Sequence, residues 1–113
     1  MGYSHYWYRK PVELELPKFR RWRDDIEKLI GAAGVPLSDG GSGTSPEVSD
    51  DYVFFNGVGD DSHEAFVVER VQPADAYKDR EHFFDFCKTA RKPYDVVVCA
   101  ALVALKQDFP AEF

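Results

Sequence analysis

Residues 96–105 read Val-Val-Val-Cys-Ala-Ala-Leu-Val-Ala-Leu, a run with no charged side chain. Pro93 pre-sets the first turn of a helix and Asp95 suits the positive end of its dipole, which predicts a helix from Pro93 to about Gln107. A helix apolar on every side has to be covered on more than one side, by a sheet on one face and by a second helix or another subunit on the rest. The run is about half the length that a bilayer span requires, so it reads as core. Ala100, Ala101 and Ala104 would admit a close partner helix, which makes the 94–107 helix the expected contact of a homo-oligomer.

Working back from that helix, Pro17 to Ala33 carries the clearest amphipathic pattern. Phe19, Trp22, Ile26, Leu29, Ile30 and Ala33 share one stripe, Arg20, Arg21, Arg23, Asp24, Asp25, Glu27 and Lys28 fill the opposite face, and Gly34 suits the cap. The three arginines, interleaved with acids, read as a solvated face with short-range ion pairs. Gly2 to Arg9, Tyr52 to Asn56, Ala65 to Val71 and His82 to Lys88 have strand character. Residues 35–50 read as a loop, and its Gly-Gly-Ser-Gly-Thr stretch lacks the ending of a phosphate loop. The order is βαβββα, and it predicts an α+β fold: one domain over residues 1–113, with a four-stranded, mainly antiparallel sheet and two helices packed on one face.

Composition excludes whole classes of function. With 113 residues the chain can build one core, and 44% hydrophobic and 15% aromatic residues mark a folded protein. A net charge of −6 argues against a general nucleic-acid or membrane-surface binder, because either needs a broad basic face. Cys87 and Cys99 lack any paired ligand spacing and read as free thiols in a reducing cytosol. The N-terminus has no secretory h-region, so the expected location is the cytoplasm.

The candidate site lies at the joint ahead of the last helix. Lys88, Arg91 and Lys92 fall where helix amides already carry partial positive charge, an arrangement that an anionic ligand would complete. If the first strand runs beside the last, His5 and Tyr6 come near Lys88 and Arg91, and Tyr3, His5, Tyr6, Trp7 and Tyr94 are then candidates for stacking or hydrogen bonding. Asn56 and His63 face each other across the expected hairpin loop and could read polar groups of a ligand. Asp85, in an aromatic strand, would need a donor or cation if buried, for which Arg91, Lys92 or a helix amide are the candidates; exposure to water at a sheet edge is the alternative. Asp60, Asp61, His63 and Glu64 read as a polar turn rather than a metal site, and neither a metal nor a cofactor is expected.

Three stretches, Gly2-Tyr-Ser-His-Tyr-Trp7, Phe55-Asn-Gly57 with His63-Glu64-Ala-Phe66, and Phe84-Asp-Phe-Cys-Lys-Thr-Ala-Arg-Lys-Pro-Tyr-Asp95, resemble signature segments of a family of small uncharacterised proteins encoded by tailed phages and bacteria. The resemblance implies no established activity. It brings an analogy of function with phage proteins that sequester the nucleotide signals of bacterial immunity, acting in the host cytoplasm. Three functions follow as expectations: non-enzymatic capture of a small anionic, nucleotide-type ligand; an acidic inhibitor occupying a nucleic-acid-binding site on a host protein; and a nucleotide hydrolase using His5 or His63 beside Asp85. No catalytic motif stands out, and the first is the leading reading.

Overall fold

The alternating segment at the N-terminus forms strand β1 (Ser4–Arg9), and it pairs antiparallel with β5 (Phe83–Lys88), far along the chain. These elements belong to a computed structural model that describes residues 4–10, 12–39, 45–71 and 83–113. The register sets Ser4 opposite Lys88, His5 opposite Cys87, Tyr6 opposite Phe86 and Trp7 opposite Asp85. Helix α1 (Leu16–Ala33) carries Pro17 in its first turn and stops at Gly34, whose φ of 65° is the left-handed cap that the sequence predicts. Helix α2 (Asp95–Asp108) follows the joint, and Tyr94 ahead of it already has helical dihedrals.

The expected hairpin is present as β3 (Tyr52–Phe55) and β4 (Phe66–Glu69), paired in antiparallel register with Phe55 opposite Phe66. Part of the expected 35–50 loop is ordered against it: β2 (Glu47–Val48) pairs with β3, and Ser38 bridges to Asn56. Within the hairpin loop, Gly59–Asp61 form one turn of 3-10 helix.

The single four-stranded sheet is not what forms. The fold is α+β, but the five strands among the described residues divide into a two-stranded ribbon, β1–β5, and a three-stranded sheet, β2–β3–β4. The physical reason lies where β5 approaches the chain entering β4. Glu64 N donates to Lys88 O (3.1 Å), and there side chains take over. The Glu64 carboxylate accepts from Lys88 N (2.8 Å), while the Tyr94 hydroxyl donates to Glu64 O (2.6 Å) and reaches Lys88 O (3.3 Å). The backbone groups that would continue a ladder are satisfied by a carboxylate and a phenol instead.

The core is built from one face of each element. Phe19, Trp22 and Ile26 of α1, Val97, Val98, Ala101 and Leu105 of α2, Val53 and Phe55 of β3, Phe66 and Val68 of β4, and Cys87 of β5 are all buried. The Trp22 indole donates to Ala101 O (3.0 Å), tying the helices together and satisfying the ring's polar edge. Arg9, 1% exposed, crosses between the sheets: its guanidinium donates to Glu69 O (2.5 Å) and Arg70 O (2.8 Å) and lies 5.8 Å from the centre of the Phe113 ring. On the outer side of α1, Arg20 pairs with Asp50 (3.1 Å) and Arg23 pairs with both Asp50 and Asp24. The arginine cluster is therefore neutralised largely across the fold, rather than by its helix neighbours alone. Among the described residues, no helix is long and apolar enough to cross a membrane.

Candidate functional site

Period-two alternation divides the β1–β5 ribbon into two chemically different faces. His5, Trp7 and Arg9 turn inward with Asp85 and Cys87; Ser4, Tyr6 and Tyr8 turn outward with Phe84, Phe86 and Lys88.

On the outward face the rings form a connected ladder. Tyr6 and Tyr8 sit 6.0 and 5.4 Å from Phe84, and Phe84 lies 5.9 Å from Phe86, centre to centre. All four are exposed, Tyr6 by 64%, Tyr8 by 57%, Phe84 by 42% and Phe86 by 45%. The Lys88 ammonium stands 5.7 Å over the Phe86 ring. Ser4, Tyr6, Phe84, Phe86 and Lys88 line a shallow groove of about 260 Å³. It offers π-faces along its floor and a cation at one end.

On the inward face a compact polar cluster joins the ribbon to α2. His5 Nε2 lies 2.7 Å from Asp95 Oδ1, and the Thr89 hydroxyl donates to the same oxygen (2.5 Å). Cys99 lies one helical turn after Asp95, with Sγ 3.5 Å from His5 Nε2 and 3.7 Å from Asp95 Oδ2. Burial works against ionisation of Asp95, but the hydrogen bonds from Thr89 and His5 outweigh it and hold the carboxyl below its ordinary range. Burial and the neighbouring Asp95 charge push the Cys99 thiol up, so it is no ready nucleophile. Cys87, more deeply buried, is pushed up to about 12, first by desolvation and then by the Glu64 charge.

The described residues singled out by sequence face different ways. Tyr6 and Lys88 share the outward groove. Trp7 packs inward against Phe66, with centroids 5.6 Å apart, and Tyr94 is fully buried with its hydroxyl committed to backbone carbonyls. Asn56 is buried as a clip for the hairpin loop, donating to His63 O (2.9 Å) and accepting from His63 N (3.0 Å), while His63 itself is exposed. Gly57, next to that clip, admits no side chain, since a Cβ there would meet Asp61 O at 2.0 Å. Arg91 is exposed and Lys92 half-buried, on a turn closed by Lys92 N donating to Thr89 O (3.0 Å). Ala90 and Arg91 both have positive φ, 52° and 57°, a conformation that costs about 1–2 kcal/mol for each non-glycine residue. Tyr3 lies outside the described residues.

At the helix start Lys92 N donates to Thr89 O (3.0 Å) and Asp95 N to Lys92 O (2.9 Å), with the Asp95 carboxylate in the first turn. Asp85 does not rely on Arg91 or Lys92. Burial raises its carboxyl pKa, and the opposing influences are the Phe86 amide, which donates to Oδ1 (2.8 Å), and the Arg9 charge. Sequence reasoning missed Thr89, Asp95 and Cys99 as partners of His5. The i, i+4 spacing of Asp95 and Cys99 was the available signal, because it puts both on one helical face.

Comparison with known proteins finds no family model that matches this chain, no similar curated protein and no matching solved structure, so its function has to be argued from its own geometry.

Proposed function

We propose that this protein captures a small anionic ligand of nucleotide type without turning it over, on the outward face of the β1–β5 ribbon. The observation that carries the reading is the exposed ring ladder with Lys88 at its end. A soluble protein gains nothing for its own core from four large rings in water, whereas a flat aromatic ligand would cover them. Stacking a base on such rings is worth about 1–3 kcal/mol, and an ammonium placed beside it meets a phosphate. Arg91 and Lys92, on the turn that follows, extend the positive potential past Lys88. The net charge of −6 over the whole chain, despite these cations, disfavours long polyanions and so favours a small ligand.

The resemblance to phage-encoded proteins extends this to a biological role: a cytoplasmic sponge for a signalling nucleotide, countering a bacterial defence. Val96 and Val103 on α2, 57% and 60% exposed, are the surface through which a second copy would associate. The test is calorimetric titration with a panel of cyclic and linear nucleotides, alongside native mass spectrometry. Binding should fall at least about tenfold in Phe84→Ala and in Lys88→Ala with melting temperature little changed. Full affinity in both variants would sink the reading.

A second reading has its own observation. On the outer side of β2–β3–β4, Glu47, Asp51 and Glu69 rim a groove of about 390 Å³ floored by Tyr52, Phe54 and Val67, with Arg70 alone opposing the acids. That charge suits a basic protein surface, as an acidic inhibitor of a nucleic-acid-binding protein would need, and such binding would weaken steeply with salt.

A further inference from the structure

The inward cluster carries an inference separate from the ligand groove. We propose that His5, Asp95 and Cys99 form a three-ligand site for a divalent transition-metal ion of the zinc class. Among the described residues these are the one group of three donors that converge, with one ligand atom from each lying within 4.8 Å of the others.

The spacing suits shared coordination. Bonds of about 2.0–2.3 Å to nitrogen, oxygen and sulfur place tetrahedral ligands about 3.3–3.6 Å apart. Cys99 Sγ lies 3.5 Å from His5 Nε2 and 3.7 Å from Asp95 Oδ2, both close to such an edge. The 2.7 Å contact of Nε2 is with the other carboxylate oxygen, Oδ1, which Thr89 also holds, so Oδ2 is the oxygen that faces the sulfur.

The donors are held by rigid parts of the fold. Asp95 and Cys99 are one turn apart on α2, and His5 stands in β1, fixed by pairing with Cys87 on β5. Thr89, fully buried, holds the Asp95 carboxylate through its hydroxyl, the kind of outer support that orients metal ligands. The His5 and Asp95 side chains are 16% and 22% exposed, so an ion can reach them from solvent.

The donor chemistry selects the ion. Imidazole, thiolate and carboxylate together favour zinc and its relatives over magnesium or calcium, which prefer all-oxygen shells. On binding, the Cys99 S–H bond breaks, its proton leaves to solvent, and the sulfur lone pair bonds the ion. The proton shared between His5 Nε2 and Asp95 also passes to solvent, and the imidazole binds through the Nε2 lone pair as the neutral tautomer that carries its hydrogen on Nδ1. The two anionic ligands then balance the 2+ charge. Three protein ligands leave a fourth position for water or an incoming donor.

The test uses the metals alone. Titration of the full chain with Co2+ should give one equivalent of binding and a thiolate-to-cobalt charge-transfer band in the near ultraviolet, and Zn2+ should bleach it. Cys99→Ala should abolish the band, His5→Gln should weaken Co2+ binding at least about tenfold, and Cys87→Ala should keep both. A wild-type chain without the band overturns the proposal. So does a band that survives Cys99→Ala but is lost in Cys87→Ala. Because wild-type protein and His5→Gln each give a decisive reading, the outcome does not hinge on whether Cys99→Ala folds.

Discussion

On the β2–β3–β4 sheet the outward side chains Tyr52, Phe54 and Val67 are half covered, and Tyr52 hydrogen-bonds Glu47 (2.7 Å); on the β1–β5 ribbon the corresponding Tyr6, Tyr8, Phe84 and Phe86 stand in water. Both sheets contribute their inner faces to the same core, with residues of the two helices. The difference teaches where selection for folding ends. Inner faces are set by packing, and so is the outer face of the three-stranded sheet; the rings of the ribbon contribute only contacts with one another. They are the part of the molecule whose composition folding does not require.

The largest effect that could break this comparison pairs an inner ring with an outer one. Phe66→Ala, which removes a buried ring packed on both Trp7 and Phe55, should cost about 3–5 kcal/mol in chemical denaturation, whereas Phe84→Ala should cost less than about 1 kcal/mol. Equal losses would mean that the outer rings are structural after all.

Next comes the junction between the sheets. Tyr94→Phe keeps the buried ring and removes the hydroxyl from Glu64 O and Lys88 O, so a loss of about 1–2 kcal/mol is expected, with hydrogen exchange rising first at residues 64 and 88. An unchanged melting curve would show that the split between the sheets does not depend on that phenol.

The smallest expected effect separates the two inner-face carboxylates by sign. Asp95 has a folded pKa below its unfolded value, so it adds stability above about pH 4, and that stability is lost as pH falls through the folded value. Asp85, raised chiefly by burial, does the opposite: its ionisation on raising the pH favours the unfolded chain. At neutral pH, Asp95→Asn should therefore lower the melting temperature and Asp85→Asn should raise it, with both differences shrinking in acid. Shifts of the same sign would show that these two carboxyls are not distinguished in the way their surroundings indicate.

Much of this was legible in the chain because local chemistry and tertiary packing agree there. The stripe of Phe19, Trp22 and Ile26, the Gly34 cap and the β3–β4 hairpin all follow from periodicity and turn residues, whereas the adjacency of the first and last strands enters only as a condition. What was hidden depends on side chains acting at a distance. Period two divides Tyr6 from Trp7 but does not say which of them meets the core. Nothing in the Tyr-Arg-Lys-Pro sequence around Arg9 marks a buried cation spanning two sheets. Nor does a strand pattern reveal that the Tyr94 phenol and the Glu64 carboxylate will cap the polar groups of a would-be ladder. The cationic joint was recognisable, but not that the Asp95 carboxylate beside it would be bound by His5 from 90 residues away.

That long-range pairing has a consequence for how the protein comes into being. The ring ladder needs residues 4–9 and 83–88 together, and the His5 cluster needs β1 and the first two turns of α2. During synthesis the ladder cannot exist until Lys88 has emerged from the ribosome, nor the cluster until Cys99 has, so the first aromatic strand waits unpaired while the intervening chain is made. Closing so large a loop places the ribbon late in folding, on a scale of milliseconds to seconds for domains rich in distant contacts. Both candidate sites therefore report on assembly: neither is present in a chain whose β1 has not yet met β5 and α2.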